Sequence, residues 1–293
     1  MYVNSYFYEH GTIDCGDRVK IEGLEDSSIK HTSKYYIDKF KNKLQDIRLE
    51  GKVAFLYAAG PATHTSEKLP LTPKFNEMSL RIDSGPAQLA VQETVAFMAH
   101  LYLKVLNKNN EISFFSMNAN TCASSMFSFY EAYQLLHYKD FDHVIIISEE
   151  RTRPDTIRSF NELNINLKLG EGFGCIILSN VKSNNKISDC KWEYLFNNNP
   201  FKSVEEGYRK IYTDADHIKI HGTLTSANDS AEEWLYTLNK HIIGYKNEIG
   251  HTQGASFLIE MCKVLDDTSI TGTICCMASG LGNVYGSALL TKS

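Results

Sequence analysis

The sequence predicts a layered α/β fold. Three observations predict it: apolar segments rich in β-branched residues recur along the chain, helical patterns separate them, and the strand-like segments show little alternation. Strands without regular alternation of apolar and polar residues are typical of sheets covered on both faces. The succession of strands and helices therefore favours sheets with helices packed on either side.

Seven segments have the strand pattern and four have the helical pattern. The strand-like segments are 52–58 (KVAFLYA), 111–117 (EISFFSM), 143–148 (HVIIIS), 174–178 (GCIIL), 217–220 (HIKI), 271–277 (TGTICCM) and 287–290 (SALL). The helical segments are 88–106, 122–137, 229–241 and 251–265. Asn228 or Asp229 is the expected N-cap of the third helix, because short polar side chains satisfy the free amides there.

The composition is that of an ordinary soluble globular protein, with 293 residues, 43% apolar residues and a formal charge of −5. This length accommodates one large domain or two fused halves. No block of basic residues stands out, so nucleic-acid binding has no electrostatic support. The first residues, MYVNSYFYEHG, lack the features of a secretory signal, and no segment has the roughly 18 apolar residues of a membrane span. We therefore expect a cytoplasmic protein.

Seven cysteines occur along the chain, and no two of them have CxxC spacing. A zinc site or a redox motif is thus unsupported, and we expect no metal. Without an export signal the thiols are expected to stay reduced. Most of them are expected to be packing residues.

Cys122 stands out because of where it lies. The segment 118–138, NANTCASSMFSFYEAYQLLHY, leads from a strand-like stretch through small residues into a helix. The N-terminus of a helix carries roughly half a positive charge and several free N–H groups. These should lower the pKa of the thiol and could also bind an oxyanion. The alternative is that Cys122 is simply a small buried apolar residue.

Two histidines lie at junctions of the same kind. His221 begins HGTLTSANDSAE (221–232), just after a strand-like segment, and His251 lies in KNEIGHTQGAS (246–256), just before a helical one. A single loop histidine is usually a surface residue or a hydrogen-bonded one. Two of them at strand–loop–helix junctions, together with Cys122, predict a reactive constellation.

These segments together resemble the β-ketoacyl-acyl-carrier-protein synthases, the condensing enzymes of thiolase fold. That family has a cysteine followed by small residues, then HGTxT…(N/G)DxxE, then KxxxGH. This chain has NTCASS (120–125), HGTLTSANDSAE (221–232) and KNEIGH (246–251) in the same order. GEGFGCIIL (170–178) matches the family's GEGxG before a strand, and SGLGNVYGSALL (279–290) resembles its glycine-rich closing motif. The ordered set, which spans roughly residues 50–293, is more specific than any single motif.

The resemblance implies a thiolase-like α/β fold. Two similar halves, each with a mixed five-stranded sheet, would stack with helices in five layers, α-β-α-β-α. The first half, 1–180, would carry the nucleophile, and the second, reduced half, 181–293, would carry both histidines. The implied partners are an acyl carrier protein and a second synthase subunit, in a homodimer or in a heterodimer with a related ketosynthase, with no nucleic acid and no membrane span.

The resemblance also implies an activity, the decarboxylative Claisen condensation of an acyl thioester with malonyl carrier protein. The pathway would be fatty acid or polyketide biosynthesis, with an aryl-polyene type of secondary metabolism preferred. No cofactor is implied beyond the phosphopantetheine arm of the carrier protein, and no metal. The implied catalytic residues are Cys122, His221, His251 and Lys246; the supporting residues are Glu171, Asp229 and Glu232; and the oxyanion hole combines the backbone N–H of Cys122 with one near Leu281.

The chain departs from the family pattern at several points, and alternatives stay open. It is shorter than most members, Leu224 replaces a small residue in HGTxT, and Leu281 stands where many members have a gating phenylalanine. One alternative function is a non-elongating partner of the chain-length-factor type, although such partners normally lack the nucleophilic cysteine. Another is a cysteine-dependent acyltransferase. Asp229 and Glu232 could merely charge the start of a helix, and Lys246 could be a solvated loop residue.

Carrier proteins are acidic, so a basic patch is expected near the mouth of the site. The candidates for it, chosen because they cluster in sequence, are Arg151, Arg153, Arg158, Arg209 and Lys210.

Overall fold

The computed structural model describes residues 1–24, 29–60, 85–152, 154–162, 165–196 and 203–293. Its strands are β1 (Tyr2–His10), β2 (Ile13–Asp14), β3 (Arg18–Lys20), β4 (Val53–Ala58), β5 (Ile112–Asn118), β6 (His143–Glu150), β7 (Leu169–Gly170), β8 (Gly172–Ser179), β9 (Asn185–Tyr194), β10 (His217–Lys219), β11 (His241–Ile243), β12 (Gly272–Gly280) and β13 (Val284–Lys292). Its helices are α1 (Ile29–Lys39), α2 (Lys41–Asp46), α3 (Gly85–Leu106), α4 (Ser124–Tyr138), α5 (Pro154–Glu162), α6 (Glu205–Ile211), α7 (Ser226–Glu232), α8 (Lys246–Ile249) and α9 (Ser256–Asp266).

Ten of these strands form one sheet in the order β11-β10-β12-β13-β9-β1-β8-β6-β4-β5. The sheet consists of two five-stranded halves, whose strands pair with each other between β1 and β9, where Tyr2 lies opposite Lys186 and Val3 opposite Asn185. The three short strands β2, β3 and β7 form a separate small sheet.

Both halves have the same topology. In chain order, the five strands of the first half are β1, β4, β5, β6 and β8, and those of the second half are β9 to β13. Across the sheet, from its outer edge inward, each half has its third strand first, then its second, fourth, fifth and first. The second strand is parallel to its two neighbours, while the fifth is antiparallel to the fourth and the first. After the third strand of each half, β5 or β11, the chain leads into one of the two helices α4 and α9.

The alternation of buried side chains along the strands shows how the layers stack. Leu56 of β4 and Cys276 of β12 face a central core that they share with Phe129 of α4 and Leu258 of α9. Because successive strand residues point to opposite faces, the neighbours of these residues face outward instead.

The outward-facing residues complete two further cores. Phe55 and Tyr57 of β4 pack with Tyr102 of α3 in one outer core. On the other side, Met277 of β12 packs with Tyr208 of α6. The order of layers is therefore helix, sheet, helix, sheet, helix, and the predicted α/β class with mixed five-stranded sheets in five layers is confirmed.

The structure contains each of the seven predicted strands, and it adds two long ones, β1 and β9, that the patterns missed. Both carry polar residues at many positions, as in NKISDCKWEY for β9. The predicted boundary at residues 180 and 181 falls between β8 and β9.

The predicted helix over 229–241 is wrong in its extent and its N-cap. Thr225 is the N-cap, α7 ends at Glu232, and a 3₁₀ helix follows over Glu233–Leu238. Asn239 then takes a left-handed conformation with φ of 54°, which ends the helical course before β11 begins. Similarly, the helix predicted from His251 begins at Ser256, after a 3₁₀ turn.

Across the described ranges, no helix combines the length and the apolar character needed to cross a membrane.

Candidate active site

Cys122 lies in a tight turn that joins the two elements predicted to flank it. A 3₁₀ turn over Thr121–Ala123 follows β5 and leads directly into α4. Thr121 has a positive φ of 52°, and its hydroxyl donates to the carbonyl of Leu281 at 3.1 Å. The turn is thus held against the closing segment that contains Leu281, and Cys122 is left 8% exposed.

His221 and His251 approach the same point from the second half of the sheet. His221 follows β10 by two residues, and His251 precedes the 3₁₀ turn that opens α9. The centroids of the two imidazole rings lie 5.4 Å apart, with the rings nearly perpendicular at 88°. Both histidines line one cleft with Cys122.

The walls of the cleft differ in polarity. One group of lining residues is polar and comes mainly from the segment after β10: Thr223, Thr225, Asn228 and Ser279. Another is apolar: Phe160, Ile165, Leu167 and Leu281. The cleft can therefore receive a molecule with both polar and apolar parts.

Two backbone amides converge on the sulfur. The backbone N–H groups of Leu281 and of Cys122 itself lie near the sulfur and act to lower the pKa of the thiol. The segment around Leu281 can approach the turn of Cys122 this closely only with glycine at position 280, because a Cβ on residue 280 would lie 2.4 Å from Oγ1 of Thr121. These are the two amides that the sequence assigns to an oxyanion hole, and Leu281 also lines the cleft.

The loop of His221 is held by Glu232. Its carboxylate accepts from the backbone N–H of His221 at 2.7 Å and of Gly222 at 2.9 Å, and also from the side-chain amide of Asn228. Burial raises the pKa of Glu232 to about 7, which these donors partly oppose. Glu232 therefore positions the histidine through its backbone, whereas Asp229 is exposed in the first turn of α7.

Lys246 is buried, so the alternative of a solvated loop charge is wrong. Its ammonium donates to Oε1 of Glu260 at 2.5 Å and to the backbone carbonyl of His221. Burial lowers the pKa of Lys246, and Glu260 partly opposes that effect. Lys246 thus contacts the His221 segment directly.

His251 is fixed by backbone bonds and by Ser256. Its N–H donates to the carbonyl of Lys168 at 2.7 Å, and its Nδ1 lies 3.2 Å from the hydroxyl of Ser256. That hydroxyl oxygen already accepts from Thr252, at 3.2 Å. When Ser256 donates its proton to Nδ1, Nε2 of His251 is left as an N–H donor.

Burial makes all three reactive groups neutral. It lowers the pKa of His221 and His251 well below the ordinary range, and Lys246 reinforces the effect. Burial also raises the pKa of Cys122 to about 12; Glu150 adds to this, while Lys246 and the two amides oppose it. The predicted lowering of the thiol pKa is wrong, because desolvation outweighs the helix N-terminus.

Two further predictions, the supporting residue Glu171 and the basic patch, concern residues outside the lining of this cleft. Glu171 is buried and accepts from the backbone N–H of Ile21 at 2.9 Å, so it ties the segment after β3 to the junction between β7 and β8. In the proposed basic patch, Arg151 is buried and cannot be part of a surface; Arg153 lies outside the described residues. On α6, Arg209 and Lys210 each pair with a glutamate one turn earlier.

Within the part of the chain that the structure describes, no group of three or more His, Cys, Asp or Glu side chains is arranged to hold a metal ion.

Comparison with known proteins supports the same fold. No protein-family model matches the chain, and no curated protein matches it by sequence. Solved structures do match. The complex of a type II polyketide-synthase acyl-carrier protein with its ketosynthase (AntDE:AntF) has a TM-score of 0.66 and 15% identity over 91% of this chain and 86% of that one. The chain has the ketosynthase fold.

Two other ketosynthase structures show how the lengths compare. A β-ketoacyl synthase from Burkholderia phymatum STM815 matches with a TM-score of 0.62 and 14% identity, over 90% of this chain and 81% of that one. The PfaC keto synthase–chain length factor matches with a TM-score of 0.61 and 16% identity, over 92% of this chain and 34% of that one. This chain spans between 34% and 62% of four of the matched ketosynthase chains.

Sequence reasoning missed several buried acids of this ketosynthase fold. Glu260 is the single acidic residue in the apolar first part of α9, SFLIEMCKVL. An isolated acid in an apolar helix is the sequence feature that indicates a buried, paired carboxylate. Glu149 and Glu150 end β6 and are fully buried on opposite faces of the strand. Glu150 accepts from the backbone N–H of Gly60 at 3.1 Å and of Gly254 at 3.2 Å.

Glu149 lies in the outer core beside α3. It accepts from the hydroxyls of Tyr57 at 2.8 Å, Tyr102 at 2.5 Å, and Ser33. Burial raises its pKa to about 7, although these three donors oppose the shift. The folded protein therefore retains a proton on Glu149 at a pH where the unfolded chain has lost it.

This difference predicts that the free energy of unfolding falls as the pH rises from about 4.5 to about 7. In that window the unfolded state is stabilised by ionisation and the folded state is not. The Glu149→Gln variant should lose this contribution. The slope of its free energy of unfolding against pH should then be shallower than that of the native protein by up to about 1.4 kcal/mol per pH unit. Urea unfolding measured across the window checks it; parallel curves for the two proteins would contradict the assignment.

Proposed function

We propose that the chain is a β-ketoacyl synthase that condenses an acyl group held on Cys122 with a malonyl extender. The observation that supports it most is the convergence of one thiol, two neutral imidazoles and two backbone amides on one cleft. In the ketosynthase fold, this set of groups fits acyl transfer followed by decarboxylation. The presence of Cys122 with both histidines favours an elongating synthase over a non-elongating chain-length-factor type of partner.

In the first step the acyl group moves from a carrier thioester to Cys122. The thiol is protonated at neutral pH, so a neutral imidazole in the cleft accepts its proton as the sulfur attacks the carbonyl. The carbonyl oxygen becomes negative and accepts from the N–H groups of Cys122 and Leu281. The new C–S bond forms, the bond to the carrier sulfur breaks, and the carrier thiol leaves with the proton.

In the second step the malonyl extender loses carbon dioxide. The electron pair of the broken C–C bond moves into the thioester carbonyl and gives an enolate. His221 and His251 donate N–H hydrogen bonds to the enolate oxygen. Because the low pKa of each imidazolium keeps both rings neutral, neither ring is acidic enough to transfer a proton to the enolate. The enolate carbon then attacks the acyl carbonyl on Cys122. The new C–C bond forms, the C–S bond to Cys122 breaks, and the sulfur leaves as a thiolate that takes a proton from water.

The substrates would arrive on the phosphopantetheine arm of an acyl carrier protein. Among the structural matches, one is an acyl-carrier protein in complex with its ketosynthase. The steps need no external oxidant or reductant, and groups on the chain relay the thiol proton and stabilise the developing charge. We propose fatty acid or polyketide biosynthesis as the context, and within it a specialised aryl-polyene type of pathway.

We further propose that the chain pairs through β5 with a second copy of itself or with a related ketosynthase. Among the described strands, β5 lies at the edge of the ten-stranded sheet, with β4 as its strand neighbour. Its Phe115 and Met117 are 36% and 41% exposed, and Phe97 of the neighbouring α3 is 45% exposed. An edge strand with large apolar side chains is a template for pairing with another chain.

The nucleophile is tested by incubating the protein with acylated carrier protein and measuring its intact mass. We expect one acyl adduct in the native protein, and none in Cys122→Ala because no other thiol lines the cleft. Cys15 is the exposed thiol among the seven, so Cys15→Ser is the matched control and should keep the adduct. An adduct that survives Cys122→Ala, or that is lost in Cys15→Ser, would place the acyl group elsewhere.

The histidines are tested by the release of carbon dioxide from malonyl carrier protein. His221→Ala and His251→Ala should still be acylated at Cys122, but their decarboxylation should fall by a factor of about a hundred to a thousand, as for loss of one oxyanion donor. His217→Ala is the control, since His217 lies at the opposite end of β10 from His221. Normal decarboxylation in both cleft variants would show that the imidazoles do not carry this step.

The pairing surface is tested by sedimentation equilibrium. We expect the native chain to sediment as a dimer of 33.2 kDa subunits, and Phe115→Asp to sediment as a monomer because the charge would be desolvated in the interface. Tyr138→Asp, at an exposed residue that ends α4, is the control and should stay dimeric. A native monomer would contradict the homodimer and leave only the heterodimer.

A further inference from the structure

One buried carboxylate near the cleft is shared by two lysines. Lys219, Lys246 and Glu260 are each at most 3% exposed. The ammonium of Lys246 lies 2.5 Å from Oε1 of Glu260, and that of Lys219 contacts Oε2. Each carboxylate oxygen thus has its own lysine.

The cluster connects the segments that carry both histidines. Lys219 lies on β10 two residues before His221, and its ammonium also donates to the carbonyl of Met277 at 3.2 Å. Lys246 donates to the carbonyl of His221 itself. Glu260 lies on α9 one turn after Ser256, whose hydroxyl contacts Nδ1 of His251.

The cluster carries more positive than negative charge. Two ammonium groups share one carboxylate, and a buried charge without a full counter-charge is costly for the folded state. Glu232 of α7 is the other acid at the histidines, and it is engaged with the backbone of His221 and Gly222. A single lysine would be enough to neutralise Glu260, so the second one calls for a different explanation.

We propose that Lys219 is a positioning residue that gives this cluster a net positive charge and so favours negative charge between His221 and His251. The inference rests on the proposed condensation, in which the enolate is that negative charge. A fixed cation in a site of low dielectric constant stabilises an anion that forms nearby. It also disfavours protonation of the imidazoles, so both remain neutral N–H donors.

In the described part of the chain, the charged and titratable groups around the two imidazoles come from several elements. They are Lys219 of β10, Glu232 of α7, Lys246 of α8, Glu260 of α9, Cys122 in the same cleft, and Glu150 of β6, which accepts from the turn after His251. Burial is the largest cause that lowers the pKa of His221 and His251, and both lysines lower it further. Lys219 thus acts electrostatically on both rings, although its own partners are Glu260, the carbonyl of Met277 and the ring of Phe257.

The test compares the native protein with Lys219→Met, which keeps most of the side-chain length and removes the charge. With ¹⁵N-labelled histidine, an NMR titration reads the pKa of His221 and His251 without any substrate. We expect both values to rise by about one unit in the variant, the size of one partly screened charge at this range. The acid limb of malonyl decarboxylation should move to higher pH by the same amount, with a rate about tenfold lower at the native optimum.

Lys292→Met is the matched control. Lys292 is a buried lysine near the end of β13 that donates to the carbonyl of Val264 at 2.8 Å, away from the histidines. Its removal should leave both imidazole titrations unchanged. Lys219→Gln keeps a donor for the carbonyl of Met277 and serves as a second charge-removing variant in case Lys219→Met does not fold.

Unchanged imidazole titrations in a folded Lys219 variant would overturn the proposal. So would an equal shift in Lys292→Met, which would indicate a general effect of instability. If the native protein does not decarboxylate malonyl carrier protein, the proposed function fails, whereas the NMR titration still decides the role of Lys219.

Discussion

Burial of titratable groups around one cleft is the constraint on which the proposed condensation depends. Desolvation keeps both imidazoles neutral and the Cys122 thiol protonated. A charged imidazole would transfer its proton to an enolate, and a free thiolate in an open site would react with many electrophiles. Because the groups are neutral until substrate charge develops, the N–H donors are strongest at the moment when negative charge appears in a site of low dielectric constant.

The repeated topology explains how residues so distant in sequence meet. Each half places a helix after its third strand, and the two helices, α4 and α9, pack together between the sheets. Near their starts, the backbone N–H of Leu258 donates to the hydroxyl of Ser125 at 3.3 Å. Cys122 and His251 precede these two starts, so the packing that joins the halves also builds the site. At Gly254 a Cβ would lie 2.2 Å from the amide nitrogen of Gly60, which shows how closely the backbones approach there.

Much of the fold could be predicted from the sequence because its strands are apolar on both faces. The central strands β4, β6 and β8 are continuous apolar runs, and they were recognised. β1 and β9 were missed because they alternate and contain many polar residues. The junction positions of Cys122, His221 and His251 followed from strand and helix patterns together with the ordered motifs.

What could not be predicted depends on tertiary burial. The pKa of Cys122 is a balance between a favourable helix N-terminus, visible in the sequence, and desolvation, which only the packed layers reveal. Lys219 lies in a four-residue strand-like segment and Glu260 in an apolar helix, so each reads as an isolated charge. Their pairing joins β10 to α9 across 41 positions of the chain, a distance over which local patterns carry no information.

The central claim is that an acyl thioester binds where the thiol and the two amides converge. A crystal structure of the protein after reaction with an acyl-pantetheine thioester tests it most directly. The account predicts continuous density from Sγ of Cys122 to an acyl group, with the carbonyl oxygen within hydrogen-bond distance of the N–H groups of Cys122 and Leu281. A free Cys122 beside an acyl group bound elsewhere, or a carbonyl oxygen turned away from both amides, would contradict it.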